Sequence, residues 1–301
     1  MPHRPSPLSH PQSAQRRWPR ARRSAGRVGV LAALLATLLS AAPHAPAQAA
    51  TARTAPDDAM ARFRALVQPQ GKARVTAAVL DLDGTGREPV VYGDDSPYDT
   101  ASIVKVDILA AALLQAQNAG HDLTAQERAR ATAMIERSDN AATNAMWRRI
   151  GLAPGLEAAN KRLGLTSTKG GPGARWGLTQ TTASDQIRLL RAVFDTAPAA
   201  RATPTALDES SRTYIRTLMA RVVGEQAWGV SVASGSGWAL KNGWLQRSTT
   251  GLWDVNSIGQ VTTRGHRYLV AVLSDGSTSM KDGVALVERA ARAAVSSATA
   301  H

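Results

Sequence analysis

The stretch DTASIVKVDILAAALLQ (Asp99–Gln115) decides the fold, because it predicts a helix that is apolar on every face yet begins with two polar side chains. Ser102 and Lys105 stand three residues apart at its start. Residues at that spacing are neighbours on a helix, so we expect the Ser102 hydroxyl and the Lys105 amine to lie in contact. A polar pair at the front of a buried helix is a candidate site for chemistry.

Strand patterns lie on both sides of this helix in the chain. Residues 73–84 and 89–95 predict a hairpin, and three further strands are predicted at 237–244, 252–263 and 266–276. Other helices are predicted at 124–137, 140–150, 154–163, 183–194, 207–221 and 280–295. We therefore predict an α/β protein of the α+β kind, with an antiparallel sheet built from both chain ends, flanked by helices, and an inserted all-helical subdomain.

The first 49 residues have the pattern of a signal peptide. A segment with seven Arg and no acid precedes the apolar run Val28–Ala42, and Ala47–Ala49 fits signal-peptidase cleavage after Ala49. A short membrane anchor is the alternative, but the run is short for a membrane span. Paired arginines also leave the twin-arginine export route open. We expect an exported protein with no stable membrane anchor.

Charge and composition limit the partners and cofactors. The formal charge of +13 falls to +6 without the leader, which gives little support to nucleic-acid binding. The chain has no Cys, which excludes disulfides, thiolate metal sites and Cys nucleophiles. Outside the leader and the chain end only His121 and His266 remain, too few for a convincing zinc site, so we expect no metal and no other cofactor. The oligomeric state is left open.

Three short motifs follow one another along the chain. They are S-x-x-K at Ser102–Lys105, S-D-N at Ser138–Asn140 and K-N-G at Lys241–Gly243. Each alone has a plain structural explanation, as a helix cap, a cap cluster or a hairpin turn. Their order, and their position at predicted element boundaries, favour a single catalytic site.

With these motifs the chain resembles the class A β-lactamases and the related penicillin-binding proteins, over roughly residues 59–294. The third motif has Asn where the family has Thr. The resemblance implies a division into a signal peptide (1–49), a linker (50–58) and a β-lactamase-like catalytic domain (59–301). Within that domain, the α/β part would be 59–98 and 205–301, and the helical part 99–204.

The resemblance implies an acyl-enzyme mechanism on Ser102. A serine hydroxyl is a weak nucleophile and needs a base. Lys105 would be that base when neutral, because burial and a second cation, supplied by Lys241, lower a lysine pKa. Ser138 would relay a proton to the leaving nitrogen. The backbone N–H groups of Ser102 and Trp244 would form the oxyanion hole.

The other motif positions are implied to bind a small-molecule substrate, either a β-lactam or a peptidoglycan-like compound. Asn140 would hold the substrate amide and Lys105. Lys241 and Asn242 would meet a substrate carboxylate. Gly243 would allow close backbone approach.

One departure from the family concerns release of the acyl group. Class A enzymes carry a Glu in an E-x-x-L-N motif that activates the water for this step, but residues 167–182 (STKGGPGARWGLTQTT) contain no acid. The nearest acids are Glu157 and Asp185, and we predict that Asp185 caps the next helix. Slow deacylation is therefore expected. The gap from Ser102 to Ser138 is shorter than is usual in class A enzymes. The missing piece would be part of the helical subdomain that forms one rim of the cleft, so we expect a more open cleft.

Three functional hypotheses follow from the sequence. The first is an exported serine hydrolase that is acylated by β-lactams or related amides and esters. The second is a D,D-peptidase or esterase that acts on peptidoglycan-type peptides. The third is a vestigial module that binds β-lactams or cell-wall fragments. Retention of all three motif positions favours an enzyme. Trp176 and Trp244 are expected near the cleft.

Overall fold

The computed structural model describes residues 55–196 and 206–298. The described helices are α1 (Ala55–Val67), α2 (Val104–Asn118), α3 (Ala125–Glu136), α4 (Asn140–Arg149), α5 (Leu152–Leu163), α6 (Ala183–Phe194), α7 (Glu209–Met219) and α8 (Met280–Ala298). The strands are β1 (Arg74–Asp81), β2 (Val90–Tyr92), β3 (Tyr98–Asp99), β4 (Gln180–Thr181), β5 (Gly237–Gln246), β6 (Trp253–Thr263) and β7 (His266–Ser277).

Five strands form one antiparallel sheet in the order β2-β1-β7-β6-β5. The sheet joins both ends of the described chain, because β1 pairs with β7 along its whole length, from Arg74 opposite Asp275 to Asp81 opposite Tyr268. Strands β3 and β4 form a separate two-stranded ribbon. The predicted sheet and its antiparallel order are confirmed.

The two faces of the sheet pack against different helices. Successive side chains of a strand point to opposite faces, and in β1 Ala77 and Val79 face the cluster formed with α1 and α8, whereas Ala78 and Leu80 face the cluster formed with α2 and α6. The sheet is therefore the middle layer of three. The helical block stands on the second face, where the candidate motifs also lie.

Helix α2 is buried along almost its entire length, as its sequence predicts. From Val104 to Leu114 every side chain is buried, including Lys105 and Asp107. The predicted capping box holds the next helix, with Thr124 Oγ1 accepting from Glu127 N and Glu127 Oε2 accepting from Thr124 N. This arrangement follows from hydrophobic patterning and cap chemistry.

The predicted division of the chain needs three corrections. Helix α1 begins at Ala55, so its first turn lies inside the segment predicted as a linker. Helix α7 was assigned to the α/β part, but its Ile215 and Leu218 join the same apolar cluster as α2. Conversely, α6 lies within the predicted helical part but packs on β1 and β7. A helix therefore joins the part of the protein against which its apolar face is buried, whatever its position in the sequence.

The predicted signal peptide, residues 1–49, lies outside the described residues. Across residues 55–196 and 206–298, no helix combines the length and the apolar character needed to cross a membrane.

Candidate functional site

A cleft of about 930 Å³ opens beside the N-terminal end of α2. Its lining brings together Ser102, Ser138, Asn140, Trp176 and Trp244. Lys105 and Lys241 lie directly beneath, fully buried. Residues from α2, α4, β5 and the segment before α6 thus converge on one place, and both tryptophans expected near the cleft line it.

Ser102 lies in a tight turn and not in the α-helix itself. Residues Ala101–Ile103 form a 3₁₀ turn, and α2 proper begins at Val104. Ala101, just before the serine, has φ +47°, a left-handed conformation that non-glycine residues rarely adopt. Such strain persists only where the surrounding structure enforces it. Here Asn256 of β6 enforces it by donating from Nδ2 to the carbonyls of Asp99 (2.9 Å) and Thr100 (3.1 Å).

Gly243 lets the strand β5 approach this turn. A Cβ built on Gly243 would lie 2.6 Å from Ser102 N and 2.7 Å from Thr100 O. Real Cβ atoms do not come so close, so any other residue would push the turn that holds Ser102 away from the strand. The close backbone approach at Gly243 is made to the protein's own turn, and its predicted part in substrate binding stays a prediction.

Lys105 is held by the second motif. Its Nζ donates to Ser138 O (2.7 Å), Ser138 Oγ (3.0 Å) and Asn140 Oδ1 (2.9 Å). These three bonds use all the protons of an ammonium group. Among the described hydrogen bonds none joins Ser102 Oγ to Lys105, so the expected pair is not hydrogen-bonded. Lys105 Nζ bonds to Ser138 and Asn140 instead.

Ser138 connects the two lysines. Its Oγ accepts from Lys105 Nζ at 3.0 Å and from Lys241 Nζ at 3.0 Å, and Lys241 also donates to the carbonyl of Asn242. Ser138 has φ +56°, a second strained residue of the cleft. We call Lys105, Ser138, Asn140 and Lys241 the cleft floor.

Burial makes both amines of the cleft floor easier to deprotonate. Desolvation lowers the pKa of Lys105 to about 7, although the Asp139 carboxylate nearby acts in the opposite direction. Desolvation, with repulsion from Lys105, lowers the pKa of Lys241 well below its usual range. The floor therefore holds a lysine that is neutral in a substantial fraction of molecules near neutral pH.

Asn242 does not reach the cleft. Its Nδ2 donates to the carbonyls of Gln226 (2.8 Å) and Trp228 (2.9 Å), and the side chain is fully buried. Neighbouring residues of a strand point to opposite faces, so Lys241 and Gly243 share the face of the site and Asn242 has the other. Binding of a carboxylate by Asn242 would require both bonds to break. The buried Lys241 likewise lies behind Ser138 and does not line the cleft.

Trp176 covers the cleft floor from above. Its ring centroid lies 4.8 Å from Lys105 Nζ, and its Nε1 donates to Asn144 Oδ1 at 2.8 Å. It belongs to residues 167–182, which we call the cleft loop. Trp147 Nε1 anchors this loop by donating to Gly173 O at 2.8 Å. An aromatic face thus occupies the space next to the amine.

The two acids nearest to the cleft loop support its backbone. Glu157 Oε1 accepts from Gly170 N at 3.1 Å. Asp185 Oδ2 accepts from Ser167 N and Thr168 Oγ1, both at 2.8 Å. The predicted role of Asp185 as helix cap is wrong, because Thr182 caps α6 and Asp185 follows it in the first turn. Both acids are engaged in structure.

Several cleft residues were missed in the sequence. Asn144 follows Asn140 by four residues on α4, a spacing that places it on the same helix face and could have revealed it. No comparable local signal points to Asn256 or Gln226, or to the three arginines that line the cleft, Arg137, Arg175 and Arg247. Within the part of the chain that the structure describes, no group of three or more His, Cys, Asp or Glu side chains is arranged to hold a metal ion.

The family model described as "Beta-lactamase enzyme family" matches residues 118–298. No curated protein matches the chain.

Solved structures with the same fold include PBP-A, at 20% identity and a TM-score of 0.66, covering 81% of this chain and 97% of that one. A class A β-lactamase from Bacteroides cellulosilyticus DSM 14838 is 16% identical with a TM-score of 0.68, covering 83% of this chain and 100% of the other. TLA-1 extended-spectrum β-lactamase is 15% identical with a TM-score of 0.69, covering 81% and 99%. The predicted fold class is confirmed.

Proposed function

The chain belongs to the β-lactamase enzyme family, and from this premise we propose that it is an exported serine hydrolase. Ser102 forms an acyl-enzyme with β-lactams or related amides and esters, and releases the acyl group slowly. One observation carries the proposal: Ser138 Oγ stands 3.0 Å from each of two buried lysine amines, in the cleft that Ser102 lines.

In the acylation step, neutral Lys105 takes the proton of Ser102 Oγ as that oxygen attacks the carbonyl carbon of the substrate. The two groups are not hydrogen-bonded in the free protein, so this bond forms in the substrate complex. The carbon–nitrogen or carbon–oxygen bond then breaks. Ser138 gives its hydroxyl proton to the leaving atom and recovers one from a lysine of the cleft floor. Ser138 suits this role because its oxygen already bonds to both amines.

Slow release is proposed because nothing in the cleft is placed to activate water. The cavity is lined without any Asp or Glu among the described residues. Glu157 and Asp185 are engaged with the backbone of the cleft loop. Trp176 covers Lys105, so the amine is less accessible to a water molecule.

Backbone strain favours an enzyme over a vestigial binding module. Ala101 and Ser138 both keep left-handed backbone conformations beside the reacting groups. Strain of this kind costs of the order of 1–3 kcal/mol per residue, and it clusters at active sites. A PBP-A mutant has been solved as an acyl-enzyme complex with penicillin G, which supports the choice of a penicillin as the first probe for this chain.

The decisive experiment follows the intact mass of the mature protein against time. We expect penicillin G to add its full mass to the wild type, and the adduct to persist for many minutes. Ser102→Ala should show no adduct, whereas Ser96→Ala, a partly buried serine outside the cleft, should label like the wild type. Turnover of hundreds of equivalents of a chromogenic cephalosporin per minute would contradict slow release.

A second arm uses a peptide that ends in D-Ala-D-Ala. Release of D-Ala without a lasting adduct from penicillin would favour the peptidase alternative. Absence of any adduct or product with either compound would overturn both enzymatic hypotheses.

Export is proposed from the leader pattern of residues 1–49. Expression of the full chain in a bacterial host should give a mature protein outside the cytoplasm, with its N-terminus at Ala50 by N-terminal sequencing. An intact N-terminus on protein recovered from the cytoplasm would contradict the proposal.

A further inference from the structure

Three arginines line the cleft, and no acid among the described lining residues balances them. They are Arg137 at the end of α3, Arg175 in the cleft loop and Arg247 after β5. The described lining of the cleft therefore carries an excess of positive charge. Such a cleft attracts anionic ligands and repels cationic ones.

Arg247 is already paired with two carboxylates. It contacts Asp99 and places Nε 2.7 Å from Asp254 Oδ2. These partners offset its charge and fix its position. Its share in ligand binding is therefore reduced.

Arg137 and Arg175 differ from Arg247 in this respect. Both side chains are exposed, and within residues 55–196 and 206–298 neither makes an ion pair. We call this pair the arginine rim. Both guanidinium groups are available to a ligand in the cleft.

The backbone of the arginine rim is firmly held. Arg175 N donates to Pro172 O at 3.1 Å, and a Cβ on Gly171 would collide with Arg175 O at 2.1 Å, so the loop is tightly folded here. Arg137 O accepts from Gln226 Nε2 at 3.2 Å. The rim thus combines fixed main-chain positions with free cationic heads.

We propose that the arginine rim binds carboxylate groups of the substrate, which makes the protein prefer acyl substrates with two anionic groups over those with one. The inference rests on the proposed function, because it concerns the same acylation reaction. An acidic peptide with a free terminal carboxylate belongs to the substrate class. A guanidinium group suits a carboxylate because its N–H donors match the two carboxylate oxygens.

The test compares two penicillins that differ by one carboxylate. Carbenicillin is penicillin G with an additional carboxylate on the acyl side chain. We expect the second-order acylation rate constant to be higher for carbenicillin, by about fivefold at low salt, which is the upper range for an exposed ion pair. The preference should shrink in 0.5 M NaCl, because salt screens exposed charges.

Variants then assign the preference to the arginine rim. The double variant Arg137→Gln/Arg175→Gln should bring the carbenicillin-to-penicillin G ratio to about one. The Lys/Lys double variant keeps both charges and should retain most of the ratio. Arg162→Gln, which removes an exposed charge of α5 outside the cleft, should leave the ratio as in the wild type. Thermal unfolding checks that each variant is folded.

The outcomes separate the two proposals. The proposal for the arginine rim is overturned if the carbenicillin-to-penicillin G ratio of the wild type is one or less, or if the Gln/Gln variant keeps the wild-type ratio. Either result leaves the proposed acylation of Ser102 unaffected. Absence of any adduct from either penicillin overturns the proposed function, and the arginine rim with it.

Discussion

The cleft floor and the cleft loop face each other across the cleft but are built in contrasting ways. In the floor, Lys105 and Lys241 both donate a hydrogen bond to Ser138 Oγ, and both lysines are buried. The loop is anchored through its backbone and presents the side chains of Arg175 and Trp176 to the cleft. The contrast teaches that the residues proposed to form the acyl-enzyme belong to the buried floor, whereas the loop that covers them contains no acid for its release.

Replacement of Lys105 tests the floor most severely. Lys105→Met removes the base and should lower the acylation rate constant by about a thousandfold at pH 8, within the range known for general bases. The rate is measured by the appearance of the acyl mass with penicillin G. Lys161→Met, an exposed lysine of α5, is the matched control and should acylate normally.

The same base predicts a pH profile. An amine accepts a proton only in its neutral form, which becomes the majority above the pKa of about 7. Acylation of the wild type should therefore rise through pH 7 and level off near pH 8. A flat profile from pH 5.5 to 8.5 would rule out Lys105 as the titrating base.

Replacement of Asp107 tests how the buried helix α2 tolerates a charge. Burial raises the pKa of this carboxyl to about 8, so in the folded protein it stays protonated between pH 4 and 8, where it ionises in the unfolded chain. Its contribution therefore makes the folded state less stable as pH rises through that window. With its amide nitrogen turned toward Asp107, Asn160 donates to Asp107 Oδ1 at 2.8 Å.

Asp107→Asn removes this titration while keeping the oxygen. We expect little change in the free energy of unfolding at pH 4.5 and a gain of up to about 5 kcal/mol at pH 8, since burial raises the pKa of Asp107 from 3.8 to about 8 and one pKa unit corresponds to about 1.4 kcal/mol. Urea unfolding at both pH values measures it. Asp122→Asn, an exposed carboxylate, serves as control, and an equal effect of the two substitutions would show that burial is not the cause.

Replacement of Trp176 tests the loop, with the smallest expected effect. Trp176→Ala opens the space above Lys105 to water, and we expect the acyl-enzyme to decay about tenfold faster, equal to about 1.4 kcal/mol in the barrier. The midpoint of the acylation profile should also move to higher pH, because Lys105 becomes better solvated. Trp176→Phe keeps an aromatic face and should stay near the wild type. If the acyl-enzyme of the Ala variant decays at the wild-type rate, Trp176 does not contribute to slow release.

Local patterns predicted most of the fold, and long-range contacts explain what they missed. The capping box at Thr124 and the helix over Ala183–Phe194 follow from sequence alone, because cap chemistry and helical periodicity act within a few residues. The motif residues were found because three short motifs follow one another along the chain, although the third lies in the middle of β5 and not at the predicted boundary of an element. Period-two alternation in β5 could also have predicted that Asn242 turns away from Lys241.

Other features depend on residues far apart in the chain. The 3₁₀ turn at Ser102 is held by Asn256, more than 150 positions further on, and Trp176 meets Lys105 through the packing of the cleft loop. The raised pKa of Asp107 arises from its complete burial. An acidic residue in a helical sequence is usually exposed, so this burial could not be predicted from the sequence. Such features need the assembled structure, since no short sequence pattern encodes them.

The pairing of β1 with β7 has a consequence for how the molecule forms. The bond between Arg74 and Asp275 spans 201 positions, and the helical block lies between them. Proteins dominated by such distant contacts fold slowly, because the ends of a long loop must meet before the contacts stabilise it. Strand β6, which carries Asn256, also comes late in the chain. During synthesis, Ser102 and Lys105 are therefore present long before the cleft can form around them, and the cleft is complete only when the last third of the chain has folded.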